Sequence, residues 1–210
     1  MDLNILKEFQ YIAKMAHENA KNKGFWDGEI KQGIRRNDGE MLSLIHAEIH
    51  ELYEALLDSE RLSTKIYNSK QCQDIYEYEE ELADIIIRLA DMVLSHHWPI
   101  WDYFEFGTEN LFYNKTLEQL HNLEDVPISS HQRDFLRANI ICNFFHSCLG
   151  QITEALREPQ QAIELICIKF ASMVRMIAYL ETQYGFRVNQ AIGLKLEYNK
   201  QRPYMHNKQF

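Results

Sequence analysis

Four carboxylates stand in two short words that a helix would turn into faces. Glu48-x-x-Glu51 lies within residues 44–57, and Glu81-x-x-Asp84 lies within residues 79–93. Residues three apart on a helix share a side, so each word points two acids the same way. Both words also sit among apolar residues at helical spacing. Leu44, Ala47 and Ala55 flank the first, and Ile85 flanks the second. Carboxylates set in a packing face cannot stay ionised unaided. Two unit charges about 4 Å apart repel by roughly 4 kcal/mol at an effective dielectric near 20. Protons or hard divalent cations must relieve this, and all-oxygen ligands suit Mg²⁺ or Mn²⁺. A metal cluster of this kind clamps polyphosphates and polarises phosphorus. An acid not saturated by metal is available as a general base.

The elements that must carry these words are helices. The chain has 210 residues, 46% hydrophobic and 25% charged, with only eight Gly and four Pro. That composition supplies a core and favours long uninterrupted helices. Apolar residues at helical spacing predict helices over about 3–21, 39–58, 73–97, 107–121, 130–157, 160–183 and 187–201. Residues 24–39, 58–71 and 122–130 read as connections, and Asn37 or Asp38 as the cap of the second helix. No stretch alternates as a strand does. The expected fold class is all-α.

A faint internal repeat runs through the chain. Residues 46–57, without the extra final Leu57, match 146–156 at an offset of 100, with His, Glu, Ala and Leu recurring in place. Residues 87–93 match 168–174 at an offset of 81, and Tyr113-Asn-Lys115 matches Tyr198-Asn-Lys200 at an offset of 85. His121 then falls on His206. At these offsets Glu48 and Glu51 become Cys148 and Gln151, and Glu81 and Asp84 become Ala162 and Leu165. Burying a carboxylate without a partner is costly, so a copy without metal drifts to neutral residues there. The expected organisation is two tandem helical units, residues 1–122 with the metal site and 123–210 without it, forming an intramolecular pseudo-dimer that can pack as one domain.

Other signals narrow the class. The net charge of −9 argues against a general nucleic-acid grip. No apolar stretch reaches the length of a membrane span, and Met1-Asp-Leu-Asn lacks the basic start of a signal peptide. Cys72, Cys142, Cys148 and Cys167 form no C-x-x-C pair and read as buried free thiols of a reducing, cytoplasmic compartment. A di-iron bundle needs two E-x-x-H words, and only Glu118-x-x-His121 is present. No Gly-rich phosphate loop of the P-loop type occurs.

Four segments together carry a resemblance. They are Gly24-Phe-Trp-Asp27, Gly39-Glu-Met-Leu-Ser-Leu-Ile-His-Ala-Glu48, Glu80-Glu-Leu-Ala-Asp-Ile-Ile-Ile-Arg-Leu-Ala-Asp91, and Lys195-Leu-Glu-Tyr-Asn-Lys-Gln-Arg-Pro203 with His206. The set resembles the MazG-like nucleoside triphosphate pyrophosphohydrolases, an all-α group that includes the dimeric dUTPases. The resemblance covers roughly residues 20–93 and 184–210. It implies Mg²⁺-dependent hydrolysis of a nucleoside or deoxynucleoside triphosphate between the α- and β-phosphates, giving a monophosphate and pyrophosphate. It also implies that Glu48, Glu51, Glu81 and Asp84 are the metal ligands, and that the role is nucleotide housecleaning or pool control. The chain departs from the family where residues 94–183 look inserted and where Ala47 stands in place of a further Glu.

Candidate substrate contacts are Lys195, Asn199, Lys200 and Arg202 for phosphate, and Trp26 for stacking on a base. Basic residues at a helix C-terminus also suit the dipole without any ligand, and Trp26 could equally anchor a core. His46 and His50 read as structural, and His96-His97 as cations at a helix end. The alternative function is a catalytically inactive helical module that binds nucleotide or protein. Further self-association of the fused units is left open.

Overall fold

Long runs without Gly or Pro become helices. The computed structural model describes residues 5–33, 36–58, 60, 63, 75–104 and 111–203. Eight α-helices are seen among them: α1 Ile5–Asn22, α2 Asp27–Gln32, α3 Asp38–Leu57, α4 Glu77–Ser95, α5 Leu111–Leu123, α6 Ser130–Ala155, α7 Pro159–Tyr184 and α8 Val188–Gln201. No β-strand occurs among the described residues, so the protein is all-α there. No helix among them is long and apolar enough to cross a membrane.

The boundaries have local causes. Asn37 caps α3, its side-chain oxygen accepting from the Gly39 and Glu40 amides at 2.8 and 3.3 Å. The Glu79 carboxylate accepts from the Tyr76 amide at 2.8 Å and fixes the start of α4. Ser129 and Gln132 form a capping box at the head of α6, and Pro159 opens α7, where its missing N–H costs nothing. Gly185 ends α7 with φ 69°, in the left-handed region that glycine tolerates.

Two segments differ from the expectation. The connection 24–39 contains the short helix α2, closed by Gly33 at φ 67°. After α4, Ile100–Tyr103 form a 3₁₀ turn behind Pro99, in a stretch to which the sequence assigned no element. Arg35, Cys72 and His206, and most of the 58–71 connection, lie outside the described residues.

One apolar core runs through both halves of the chain. Phe9 and Ile12 of α1, Ile45 and Leu52 of α3, and Leu82 and Leu89 of α4 join Phe144 and Phe145 of α6 and Phe170 of α7. Each such fully buried side chain contributes about 1.5–3 kcal/mol. Helices α3 and α4 run antiparallel, since Glu48 meets Arg88 while Glu51 meets Glu81. Helix α6 lies across α3, also antiparallel: His46 meets His146, and the Cys142 thiol donates to the Ile49 carbonyl at 3.7 Å. Helix α8 runs parallel to α4, joined at Arg187 to Glu79 and at Lys195 to Asp84. Helix α5 runs parallel to α7, with the Tyr113 hydroxyl on the Arg175 carbonyl and the Tyr184 hydroxyl on the Leu120 carbonyl.

Candidate metal centre

The antiparallel packing of α3 on α4 is what joins the two acidic words. Oxygens of Glu48, Glu51 and Glu81 all lie within 4.8 Å of one another. Glu48 and Glu81 are buried, at 6% and 1% exposure. Glu51 is exposed, against the expectation that all four acids turn inward. The reason is angular. Met41, Leu42, Ile45, Ile49, Leu52 and Leu56 define the core face of α3, Glu48 sits on its shoulder, and Glu51 lies at the mouth. Ala47, which the sequence set among the packing residues, is exposed as well.

Asp84 stands apart from these three. Its carboxylate accepts from Lys195 Nζ at 2.6 Å. The same ammonium pairs with Glu80, which also accepts from the Ser63 hydroxyl. Arg88 Nε donates to Glu48 at 2.6 Å. Desolvation of several charges is offset only by such close pairing. Burial pushes the Asp84 carboxyl up to about 6, with the Lys195 ammonium pulling down and the Glu48 charge pushing up. Burial works to discharge Lys195, but Asp84 and Glu80 outweigh it and hold the ammonium above its ordinary range.

Arg88 and Glu80 were not singled out in the sequence. Arg88 stands four residues after Asp84 and seven after Glu81, on the same stripe of α4. A cation at that spacing from two buried acids was the available signal. Glu80 was hidden inside the acidic run Glu79-Glu80-Glu81. Its neighbour Glu79 is buried too, and accepts from the Arg187 amide and guanidinium at 2.7–3.1 Å.

The expected substrate contacts are placed unevenly. Lys195 is 3% exposed and faces carboxylates, not solvent. Asn199, one turn later on the same side of α8, has a buried Oδ1 that accepts no hydrogen bond among the described residues. Lys200 is exposed and pairs with Glu197 at 3.3 Å. Arg202 lies over the Tyr198 ring, 5.7 Å from its centroid. Trp26 is 5% exposed and donates to Asp91 at 3.1 Å. Arg36 covers its ring at 5.2 Å and His17 packs at 5.0 Å. Asp91 also accepts from His17 at 2.7 Å and Arg36 at 3.3 Å. In this arrangement Trp26 is an anchor, and no face of its ring is presented to a base.

The α6–α7 pair holds the positions that the sequence repeat sets against the four acids. Cys148 is fully buried, and burial pushes its thiol up to about 12. Gln151, Ala162 and Leu165 line a cleft of about 720 Å³ together with Ser147, Gly150 and Ala155, and with the exposed charged residues Glu154, Arg157 and Glu158. Lys169 is 8% exposed beside Cys148.

No protein-family model, curated protein or solved structure matches the chain. The donor set is therefore the strongest functional evidence. Three carboxylates with converging oxygens, two of them buried, fit a hard divalent cation bound through oxygen. Glu48, Glu51 and Glu81 are placed to hold it, with Asp84 adjacent under Lys195.

Proposed function

We propose that the protein is a Mg²⁺-dependent nucleoside triphosphate pyrophosphohydrolase. It would use water to convert a nucleoside or deoxynucleoside triphosphate to the monophosphate and pyrophosphate. One observation carries the reading: the oxygens of Glu48, Glu51 and Glu81 converge within 4.8 Å from two different helices. The resemblance of the acidic words and the C-terminal segment to MazG-like proteins supports it. Bound Mg²⁺, or Mn²⁺, would supply neutralisation of phosphate charge and polarisation of phosphorus.

The chain's own groups have separate tasks in this reading. Glu48 and Glu81 hold the cation from inside, and Glu51 closes the site at its mouth. Arg88 orients Glu48 through its guanidinium contact. Lys195 does the same for Asp84. A carboxylate not committed to the cation takes the proton of the attacking water. Asn199, Lys200 and Arg202 lie beyond Lys195 on or just after α8, where the amide and cations would meet the triphosphate.

We also infer that the chain is two tandem MazG-like units packed as an intramolecular pseudo-dimer. Two contacts support this. His46 and His146, which match at an offset of 100, touch each other. Helix α8 of the second unit runs parallel to α4 of the first.

One observation favours a second reading, an inactive helical module that binds nucleotide or protein. Arg88 and Lys195 already pair two of the four acids within the chain, so the network is partly satisfied without a ligand. Pyrophosphate release from a panel of canonical and modified triphosphates separates the two, run with Mg²⁺ and with EDTA beside Glu51→Gln. Metal-dependent release lost in the variant is expected. A folded protein that binds Mg²⁺ and turns over no triphosphate establishes the inactive module instead.

A further inference from the structure

Glu80 is a buried acid of α4 that the converging carboxylates do not include. It is 1% exposed, and its oxygens lie outside the set formed by Glu48, Glu51 and Glu81. It stands one residue before Glu81, about 100° around the helix, on the side that meets α8. There it accepts from the Lys195 ammonium and from the Ser63 hydroxyl. The Ser63 amide donates to the Ile75 carbonyl at 2.8 Å, so the hydroxyl is fixed by the chain that enters α4.

Lys195 is therefore shared by two carboxylates. Its ammonium reaches Asp84 at 2.6 Å as well as Glu80, and it lies 5.8 Å from the centre of the Tyr198 ring. Asp84 is bracketed on α4 by groups of the metal centre. One turn earlier stands Glu81, and one turn later stands Arg88, which grips Glu48. A cation held by Glu48, Glu51 and Glu81 would lie beside Asp84, and the ammonium would lie beside both. An ammonium and a divalent cation that share one carboxylate repel each other, and each weakens the other's hold. A second carboxylate on the ammonium relieves this. Glu80 offsets its charge and offers it an acceptor that no metal ligand has to supply.

We propose that Glu80, fixed by Ser63, is a positioning residue of the metal centre. It holds and offsets the Lys195 ammonium, so that the Asp84 carboxylate stays available to the divalent cation. This assignment rests on the metal-dependent pyrophosphohydrolase proposed above, and it adds two residues that neither acidic word contains.

The test measures Mn²⁺ binding to the full chain by electron paramagnetic resonance of the free ion, beside the Mg²⁺ dependence of pyrophosphate release. Glu80→Gln keeps the shape of the side chain and removes its charge. Loss of a group that supports a metal ligand costs roughly 10–100-fold in affinity, so the Mn²⁺ dissociation constant should rise at least about tenfold. The Mg²⁺ concentration that half-saturates release should rise by a similar factor, with excess Mg²⁺ restoring most of the rate. Ser63→Ala loosens Glu80 without removing a charge and should weaken binding by a smaller factor. Thermal melts establish that the variants fold. The deciding protein is Glu80→Gln combined with Lys195→Met. Removing the ammonium together with its counter-charge should return Mn²⁺ affinity to within about threefold of the parent, because the two changes are coupled. A merely structural role for Glu80 predicts the opposite, with the second change adding to the first. Affinity unchanged in both Glu80→Gln and Ser63→Ala, or weaker in the double variant than in Glu80→Gln, would overturn the proposal. Failure of the hydrolase itself looks different. A parent that binds Mn²⁺, shows these shifts and releases no pyrophosphate would leave Glu80 its place and remove the reaction, whereas a parent that binds no Mn²⁺ would overturn both.

Discussion

Two helix pairs in this molecule share a scaffold and differ in what they bury. Between α3 and α4 the chain places Glu48, Glu51, Glu81 and Asp84, with Arg88 and Lys195 drawn in beside them. Between α6 and α7 the matching positions hold Cys148, Gln151, Ala162 and Leu165, and a cleft lies where the acids would be. The neutral pair packs into the same continuous core as the acidic one. The proposed function assigns the acids of α3 and α4 a ligand, and the contrast between the two pairs is the place to test it.

Activity offers the largest test of that contrast. Glu81→Gln and Glu51→Gln each remove a charged oxygen donor from the converging set. Loss of a group that merely supports a metal ligand costs 10–100-fold, so pyrophosphate release should fall by at least about 100-fold in either variant. Gln151→Ala and Cys148→Ala, in the neutral pair, should leave the rate within about twofold of the parent. Equal losses on both sides would mean that the activity resides elsewhere.

Stability gives the next contrast, through the two buried lysines. Lys195 lies between Asp84 and Glu80, so Lys195→Met strands a buried and a half-buried acid. Breaking a buried pair on one side costs about 3–5 kcal/mol, measurable by urea denaturation. Added Mg²⁺ should recover part of this loss, because cation binding to the folded state is linked to stability. Lys169 is buried beside the neutral Cys148 and forms no ion pair among the described residues. Lys169→Met should therefore cost about 1 kcal/mol or less. A larger loss at Lys169 than at Lys195 would show that the neutral pair depends on charge as well.

Proton linkage sharpens the contrast on the acidic side. The Asp84 carboxyl titrates near 6 in the folded chain, above its ordinary 3.8. Between those values the folded state keeps a proton that the unfolded state has released, so Asp84 lowers stability as pH rises from about 4 to about 6. Asp84→Asn cannot titrate. Its stability relative to the parent should thus improve across that window and level off above it. A constant difference between the two proteins from pH 4 to 7 would place the Asp84 carboxyl in its ordinary range. Mg²⁺ competes with the proton, so its affinity should rise through the same window.

The helices were legible because apolar periodicity and caps such as Asn37 are local. The short helix α2 was not, since its six residues have no buried face of their own to leave a pattern. The acidic words were legible from spacing, and spacing alone put all four acids inward. Only the packing of α3 on α4 shows that Glu51 sits at the mouth. The partners of the acids were the hidden part. Lys195 is more than a hundred residues from Asp84, and a lysine near a C-terminus reads naturally as a phosphate contact. Trp26 was ambiguous for a similar reason. Stacking on a base and donating to Asp91 use the same residue type, and the partner that Trp26 meets lies 65 positions away.

The smallest expected effect comes from putting one acid back. Gln151→Glu restores the counterpart of Glu51 in the neutral pair. Position 151 is only half-buried, so the new carboxylate keeps contact with water and should change stability by no more than about 0.5 kcal/mol. It should also bring no Mg²⁺-dependent rise in melting temperature beyond that of the parent. The acids that line the same cleft, Glu154 and Glu158, are exposed, and Glu154 is already paired with Arg157 at 3.1 Å, so the new carboxylate joins no buried, converging donor set, and exposed acids hold Mg²⁺ too weakly to shift folding. An added Mg²⁺ response in Gln151→Glu, retained when Glu51 is also changed to Gln, would break the comparison. The cleft between α6 and α7 would then be a site one residue short of binding, and the two helix pairs would differ in occupancy more than in kind.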